Sequence, residues 1–352
     1  MSRWHKYFAL MCALTISLAA CNNDNPSSET EKPEKVTLIA YDSFLTTEGI
    51  FDAFTKATGY EVEVVTGGDA GELLAKAAVT TGNPEGDVLW GVDNTLLGRA
   101  IESGVFEQYE SPGLESISPV AKALVPDHIA TPVDTGDVCL NIDIAWFSER
   151  NLQPPTGLAD LTRPEYAGLT VVPSALTSST GLAFMLASIA EFGEGWEQWW
   201  RELIANDALI VDGWTRAYTV EFSGSSGDGS YPIVVSYGTS PPAEVLCSDP
   251  PVDTPATAAI SSGCFRQIEF AGILAGTDNR DGAEKLIDFL ISETFQSDIA
   301  LNMFVYPVNL NVELPELFEK YAVKPNSPLS LAPEEIADNR DAWLSTWLEI
   351  VG

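Results

Sequence analysis

Histidine is nearly absent from this 352-residue sequence, which contains only His5 and His128. A Ser-His-Asp triad, a Cys-His pair or a multi-histidine metal site therefore has at most one candidate histidine in the body of the chain. His128 follows Pro126 and Asp127 in a segment that reads as a surface loop. Hydrolysis by a carboxylate pair stays open because the sequence has 51 acidic residues, but no pair stands out.

Positive charge is also scarce, since 18 lysine and arginine residues face 51 acidic ones and give a formal net charge of −33. Removal of residues 1–20 would take away Arg3 and Lys6 and bring the net charge to about −35. A chain this acidic is a poor partner for DNA or RNA. The charge is compatible with a cationic ligand, although surface acidity more often reflects solubility or a saline habitat.

Long apolar runs are missing after residue 20, where nothing approaches the roughly 18 consecutive apolar residues of a membrane span. The one strongly hydrophobic segment, Tyr7–Ala20, follows a basic start and ends in Leu-Ala-Ala-Cys at residues 18–21. This order predicts a secretory signal over residues 1–20, and its end resembles the lipobox at which bacterial lipoproteins are cleaved and acylated. We therefore expect a lipidated Cys21 and a polar tether over residues 21–35. An ordinary signal peptide with an incidental Cys21 is the alternative.

Cysteine is rare as well, and three thiols remain beyond the tether: Cys139, Cys247 and Cys264. An exported protein meets oxidising conditions, so one disulfide is expected. Cys247 and Cys264 flank a segment rich in proline and serine, and we predict that they form the bond. Cys139 lies in an apolar run and is predicted to be a buried free thiol. No Cys-x-x-Cys or other metal-ligand spacing occurs, so the sequence predicts no metal site.

Strand-like and helix-like segments alternate along the first third of the chain. Short apolar or alternating runs indicate the strands, and apolar residues three and four positions apart indicate the helices. This alternation predicts an α/β fold with a mostly parallel sheet covered on both faces. Ligands of such sheets gather beyond the carboxyl ends of the strands. The predicted strands are 36–40, 60–65 and 87–92, and the predicted helices are 49–58, 70–80 and 94–103.

A second unit of alternating elements is predicted to follow. Residues 131–142 are expected to cross to this unit, and residues 266–270 to cross back. The strands predicted in it are 169–172, 208–211 and 233–236, and the helices are 157–161, 182–192, 196–206 and 215–222. Helices at 280–291 and 294–302 are expected to return to the first unit, and a helix at 334–351 closes the chain.

The stretch Ser-Tyr-Gly-Thr-Ser-Pro at residues 236–241 comes directly off a predicted buried strand. It presents an aromatic ring, a bare backbone and hydroxyl groups beyond the end of that strand. A similar place is Gly213–Tyr218, where Trp214 and Tyr218 are four residues apart and share one helix face. Core packing would also explain such rings, but their position at strand ends favours the wall of a pocket.

Polar groups at other predicted strand ends fit the same pocket. Thr177–Gly181 opens a helix with several hydroxyl groups, which suits an N-cap as well as a ligand contact. Asp69 and Asp93 each precede a helix, as a cap or as a carboxylate aimed at a ligand. An aromatic wall with a carboxylate suits a flat cationic heterocycle, because a cation over a ring gains about 0.5–2 kcal/mol. The predicted cleft residues are Tyr41, Asp69, Trp214, Tyr218 and Tyr237.

Taken in order, these stretches resemble the thiamine-binding proteins of bacterial ABC importers, which have the two-lobed type II solute-binding fold. The resemblance spans nearly the whole chain beyond the tether, and it is carried by the ordered set of motifs. These motifs are Tyr41-Asp42-Ser43-Phe44, Asp87 to Leu97, Thr177 to Gly181, Gly213 to Tyr218, Ser236 to Pro241, Tyr306-Pro307-Val308 and Arg340-Asp341-Ala342-Trp343.

The resemblance implies a ligand, which is thiamine, a thiamine phosphate or a pyrimidine precursor. The sequence departs from the family pattern at Phe304 and Glu48, where the family often has a tryptophan. A phenyl ring stacks with less area than an indole, and Glu48 could supply charge in place of a ring. Arg216 or the Ser178 region could hold a phosphate, although Asp212 nearby would oppose it. The implied ligand-binding residues are Tyr41, Asp69, Ser178, Ser179, Trp214, Tyr218, Tyr237 and Phe304.

The resemblance also implies binding rather than catalysis, with no cofactor. Two lobes would close on the ligand about the crossing strands, and the closed monomer would dock on an ABC permease and its ATPase. The lipid anchor would hold this receptor outside the cytoplasm, at the membrane. The implied lobes are 36–133 plus 267–304 and 134–266 plus 305–352.

Several alternatives stay open. Relatives of the same fold bind a polyamine, ferric iron or a phosphonate. The iron branch uses adjacent tyrosines, whereas Tyr237 is followed by Gly238, which disfavours iron. Two other classes are a carboxylate-dependent surface hydrolase and a purely structural surface lipoprotein.

Overall fold

The computed structural model describes residues 34–225 and 229–352. The predicted signal peptide, the lipidation site at Cys21 and nearly all of the predicted tether lie outside these residues. None of the helices in the two described ranges combines the length and the hydrophobicity that a membrane span needs.

The observed elements lie close to the predicted ones in most places. The strands are β1 (Glu34–Ala40), β2 (Tyr60–Thr66), β3 (Val88–Asp93), β4 (Phe106–Glu107), β5 (Thr131–Asp143), β6 (Thr170–Pro173), β7 (Leu209–Val211), β8 (Ile233–Tyr237), β9 (Thr257–Leu274) and β10 (Tyr306–Pro307). The helices are α1 (Asp52–Thr58), α2 (Ala70–Val79), α3 (Leu97–Glu102), α4 (Pro119–Lys122), α5 (Ile144–Arg150), α6 (Ser179–Phe192), α7 (Trp196–Ala205), α8 (Trp214–Arg216), α9 (Pro241–Leu246), α10 (Arg280–Leu290), α11 (Glu293–Asn302), α12 (Glu316–Tyr321) and α13 (Pro333–Val351). A π-helical turn, Ala217–Glu221, continues α8.

Capping residues explain why several helices begin and end where the sequence predicts. The Asp69 carboxylate accepts the backbone N–H of Ala70 at the start of α2, and the Asn279 side chain accepts that of Gly282 at the start of α10. Helix α1 ends at Gly59, whose φ of 82° is costly for residues with a side chain. Local hydrogen bonding of this kind is readable from the sequence alone.

The strands of the described ranges form one sheet in the order β2-β1-β3-β9-β5-β8-β6-β7, with β4 paired to β9 and β10 to β5. Both flanks are parallel, since β1 runs with β2 and β3, and β6 runs with β7 and β8. The centre is antiparallel, because β9 opposes β3 and β5, and β5 opposes β8. The parallel flanks agree with the predicted alternation of strands and helices. The two longest strands, β5 and β9, include the segments predicted to cross between the two units, and they run antiparallel through the middle of the sheet.

The predicted disulfide was wrong, because the bond joins Cys139 to Cys264 and leaves Cys247 as an exposed free thiol. The segment before Cys264 is not a loop but the first half of β9, which pairs with β5. An irregularity in that pairing places Cys139 and Cys264 side by side, with their Cα atoms 4.3 Å apart. Cys247 lies at the end of α9. The prediction of Cys139 as a buried free thiol was also wrong, because Cys139 is the partner of Cys264.

Candidate functional site

A small cavity lies where several strands of the sheet end. Its volume is about 100 Å³. Most of the residues predicted from separate parts of the sequence meet there. The lining residues are Tyr41, Ser43, Asp69, Ser179, Thr180, Trp214, Tyr218, Tyr237, Ser240, Ala243, Glu269, Asn302, Met303, Phe304 and Val305.

Two aromatic rings form one wall of the cavity. Trp214 and Tyr218 stack with ring centroids 5.2 Å apart and an interplanar angle of 11°, as their spacing of four residues predicts. The Tyr237 ring lies 6.4 Å from the Trp214 ring at an angle of 57°. Trp214 and Tyr237 are both half-buried, so these rings keep part of their surface available to a ligand.

The stretch at residues 236–241 fixes the Trp214 ring in place. The Trp214 indole Nε1–H donates to Ser236 Oγ at 2.8 Å, and the Ser236 and Ser240 hydroxyls are 2.8 Å apart. The Tyr237 backbone N–H also donates to Ser240 Oγ, at 3.2 Å. Because Ser236 and Ser240 are buried, this network holds the indole with little freedom to rotate.

Glycines let two tyrosine rings approach the backbone closely. A Cβ atom on Gly91 would lie 2.4 Å from the Tyr41 ring, and Gly91 has a φ of +111°. A Cβ atom on Gly136 would lie 2.9 Å from the Tyr237 ring. Both positions therefore need glycine for the ring to keep its place beside the cavity.

The Asp69 carboxylate ties three segments together at the edge of the cavity. In addition to capping α2, it accepts the backbone N–H of Trp214 at 3.0 Å and that of Ser179 at 3.4 Å. Burial raises the pKa of Asp69, and the N–H donors oppose that rise by stabilising its charge. Asp69 is thus a cap as well as a lining residue, and its charge is already largely satisfied by backbone donors.

Glu269 is a lining residue that the sequence analysis missed. It accepts the Tyr41 hydroxyl at 2.9 Å, and burial is the main cause that raises its pKa. The signal for it was an acidic residue between Ile268 and Phe270 in a predicted crossing strand. Only the position of β9 in the centre of the sheet shows that this carboxyl group faces the cavity.

Three buried carboxyl groups stand in one row across the centre of the sheet. Glu269 on β9 is directly opposite Asp93 on β3 and directly opposite Asp134 on β5. Their exposed fractions are 3%, 0% and 0%. Side chains at directly opposed positions share one face of the sheet and lie about 5 Å apart at their Cβ atoms. We call these three residues the carboxyl row.

Asp93 has a structural role that its sequence position left open. Its Oδ1 accepts the backbone N–H groups of Thr95 and Leu96, at 3.0 and 3.1 Å, and its Oδ2 accepts Gln267 Nε2–H at 2.7 Å. Burial raises the pKa of Asp93 to about 6 even against these donors. It therefore caps the turn that leads to α3 and is not among the residues that line the cavity.

The remaining predicted residues divide between the cavity and its surroundings. Ser179 and Phe304 line the cavity. Ser178 is buried and its hydroxyl pairs with that of Thr180 at 2.9 Å, so its contact with a ligand stays a prediction. Glu48 is exposed and is not a lining residue. Arg216 is also exposed and pairs with Glu221 at 3.1 Å.

Comparison with known proteins points to one class. Residues 83–327 match the family described as bacterial extracellular solute-binding protein. The thiamine-binding periplasmic protein of Escherichia coli (strain K12) is 29% identical over 326 residues, covering 90% of this chain and 93% of that protein. The protein of the same name from Brucella abortus biovar 1 (strain 9-941) is 27% identical over 344 residues, covering 96% and 98%.

The same likeness holds in three dimensions. The solved structure of a periplasmic thiamin binding protein superposes with a TM-score of 0.79 at 28% identity, covering 90% of this chain and 96% of the other. The superposition confirms the predicted type II solute-binding fold.

Proposed function

We propose that this chain, which belongs to the bacterial extracellular solute-binding protein family, captures thiamine in the cavity between β1, β8 and β9. Members of this family bind solutes for ABC importers and act outside the cytoplasm, so the chain is a binding protein and not an enzyme. The relatives named for thiamine binding, together with the chemistry of the cavity, support the choice of ligand.

One observation carries the choice of thiamine over its phosphates. The lining residues of the described cavity include two carboxyl groups, Asp69 and Glu269, and no lysine or arginine. Thiamine joins an aminopyrimidine to a positively charged thiazolium ring. Aromatic faces attract the cationic ring, and the carboxyl groups favour the positive charge. A phosphate group would meet the same carboxyl groups with the opposite sign of interaction.

Entry of the ligand requires the walls of the cavity to move apart. A cavity of about 100 Å³ is below the roughly 300–1,000 Å³ of typical ligand sites. Several contacts join the two predicted lobes around it. They include the hydrogen bonds from Trp214 N–H and Ser179 N–H to Asp69, from Thr215 Oγ1–H to Asp42 at 3.0 Å, and from Gly71 N–H to the Thr177 carbonyl at 3.1 Å. We propose that these contacts break when the two lobes open about β5 and β9, and that they form again when the lobes close on the ligand.

The lipid anchor and the docking partner complete the proposal. A lipidated Cys21 would hold the receptor at the membrane, and the tether over residues 21–35 would let it reach its transporter. The closed form would present its surface to the permease of an ABC importer. Delivery then follows from closure, because only the liganded, closed form would have the docking surface in place.

Calorimetry on the full chain tests the proposed wall. Trp214→Ala and Tyr237→Ala should each weaken thiamine binding by about tenfold or more, since each removes a ring contact worth up to about 2 kcal/mol. Trp146→Ala is the matched control, because Trp146 is an indole on α5 that packs on Phe147 and Arg150 away from the cavity. Unchanged affinity in both cavity variants would rule out the aromatic wall.

A thermal-shift screen tests the ligand itself. Thiamine should raise the melting temperature of the full chain more than thiamine monophosphate, thiamine diphosphate, spermidine or ferric citrate at equal concentration. A larger shift with spermidine would assign the site to a polyamine, and a larger shift with ferric citrate would assign it to iron.

A further inference from the structure

The carboxyl row brings buried acidity next to the proposed ligand site, which Glu269 lines while Asp93 and Asp134 lie behind it. Asp93, Glu269 and Asp134 occupy three adjacent strands at directly opposed positions. Within residues 34–225 and 229–352, none of the three makes an ion pair with lysine, arginine or histidine. Isolated carboxylates are rarely buried without such a partner, because desolvation of the charge costs several kcal/mol per ion.

Asp134 is the member of the row with the fewest contacts. Both of its carboxylate oxygens are buried and lack a hydrogen-bond donor. Burial, followed by the charge of Glu269, raises the pKa of Asp134 well above its usual value. A proton held between Asp134 and Glu269 would supply the missing donor, so the empty site is expected to carry this pair with at least one proton.

The groups that surround the pair add no positive charge in direct contact. Tyr41 and Tyr237 face Glu269 from the ends of β1 and β8, and both are neutral because burial raises their pKa values well above the usual range. Asp93 faces Glu269 from β3 and adds negative charge, and the charge of Asp69 at the cavity edge acts on the neighbouring Tyr237. The Trp90 indole N–H on β3 is buried and is directed to the Glu269 carboxyl group, where it opposes the rise in the pKa of Glu269.

Two arginines in the neighbourhood are already engaged. Arg266, also on β9, pairs with Asp137 at 2.6 Å. Arg340 on α13 acts on Asp93 only through its longer-range charge, and it contacts Asp341 at 3.0 Å. Glu269 lines the cavity from the middle of the row. The charge that would complete the row therefore has to come from the cavity side.

We propose that Glu269, backed by Asp134, is the counter-ion of a cationic ligand, and that binding expels one proton from this pair to solvent. This inference rests on the proposed thiamine function and adds a residue and a proton to it. In the empty site the pair holds the proton. In the loaded site the cation takes its place, Glu269 becomes a carboxylate, and the released proton is taken up by the buffer, so charge is conserved in the cavity.

The direction of the pH dependence follows from linkage. If one proton leaves on binding, the association constant rises with pH over the range in which the empty pair is protonated and the loaded pair is not. Affinity should therefore increase by up to about tenfold per pH unit between about pH 5 and pH 7. Above the pKa of the empty pair, the dependence should level off.

Calorimetry of the full chain with thiamine measures this proton directly. Titrations at about pH 6 in two buffers of different ionisation enthalpy should give release of close to one proton per thiamine bound. Glu269→Gln should abolish that release and flatten the affinity profile, and it should weaken binding by about tenfold or more near pH 7. Asp134→Asn should reduce the release without removing the cavity-facing carboxylate.

Two comparisons test whether the released proton comes from the Asp134–Glu269 pair or from another titrating group. Glu191→Gln is the matched control, since Glu191 lies near the far end of α6, about 18 Å along the helix from its first turn; it should retain proton release and affinity. The aminopyrimidine half of thiamine lacks the thiazolium charge, and it should bind without the proton release that Glu269 provides. A titration of thiamine itself would persist in Glu269→Gln, whereas a titration of the pair would not.

The outcomes distinguish this inference from the proposed function. A wild-type chain that binds thiamine at no pH overturns the proposed function and the counter-ion together. Binding of thiamine with equal proton release in the wild type and in Glu269→Gln, or with no release in either, overturns the counter-ion alone.

Discussion

Two cross-strand pairs on β5 and β9 differ in the charge that lies opposite a buried aspartate. Asp137 on β5 is directly opposite Arg266 on β9, and their side chains meet at 2.6 Å. Three residues earlier on β5, Asp134 is directly opposite Glu269, so acid faces acid. The first pair is a salt bridge between a buried aspartate and a half-buried arginine, whereas the second has no cation within the described residues.

The difference indicates what each pair does. The Asp137–Arg266 pair is complete without a ligand, so its role is to hold β5 against β9. The Asp134–Glu269 pair lies beside the aromatic wall and is incomplete in the empty protein. Because the same strand pair can position an arginine opposite an aspartate, a glutamate at the second position is better explained by a ligand than by stability.

The largest expected effect comes from removing the disulfide between β5 and β9, the two strands that carry both cross-strand pairs. The Cys139–Cys264 bond joins β5 to β9 and closes a loop of 125 residues. Replacing both cysteines by serine should lower the free energy of unfolding by about 4 kcal/mol, because the open chain gains entropy when it unfolds. Denaturant unfolding of oxidised protein measures this loss.

Cys247→Ser is the control for that experiment. The thiol of Cys247 is exposed and free, so its removal should leave the unfolding midpoint unchanged. A loss in Cys247→Ser equal to that in the double variant would contradict the Cys139–Cys264 pairing and restore the one predicted from the sequence.

A smaller effect separates the two cross-strand pairs. Arg266→Met leaves Asp137 buried without its cation and should cost about 3 kcal/mol of unfolding free energy at neutral pH. Asp134→Asn removes a carboxyl group that has no cation to lose, and we expect it to be neutral or stabilising in the absence of ligand. Equal losses in urea unfolding of the two variants would remove the distinction between the pairs.

The smallest expected effect is on how the free energy of unfolding depends on pH. Burial raises the pKa of Glu269 in the folded chain, so the folded state binds more protons than the unfolded state above about pH 4.3. Stability without ligand should therefore fall as pH rises from about 4.3 through the folded pKa, by up to ~1.4 kcal/mol per pH unit for each proton. The fall should be smaller in the Glu269→Gln profile, because other carboxyl groups with raised pKa values, among them those of Asp69, Asp93 and Asp134, then remain. Parallel profiles would show that Glu269 is charged in the empty protein.

Local patterns in the sequence predicted a large part of the fold. Strand and helix order followed from apolar periodicity, and Asp69 and Gly59 marked a helix start and a helix end because capping involves neighbours in sequence. The stack of Trp214 on Tyr218 was also predictable, since residues four apart on a helix are neighbours whatever surrounds them.

The carboxyl row and the disulfide were decided by tertiary structure. Nothing local to Glu269 indicates that Asp93 and Asp134 flank it, because lateral register between strands is set by pairing over more than a hundred residues of chain. The same register, with its irregularity near Cys139, selected Cys264 as the disulfide partner. The sequence by itself determined the elements and their aromatic faces, whereas only the antiparallel packing of β5 on β9 decided which charges meet.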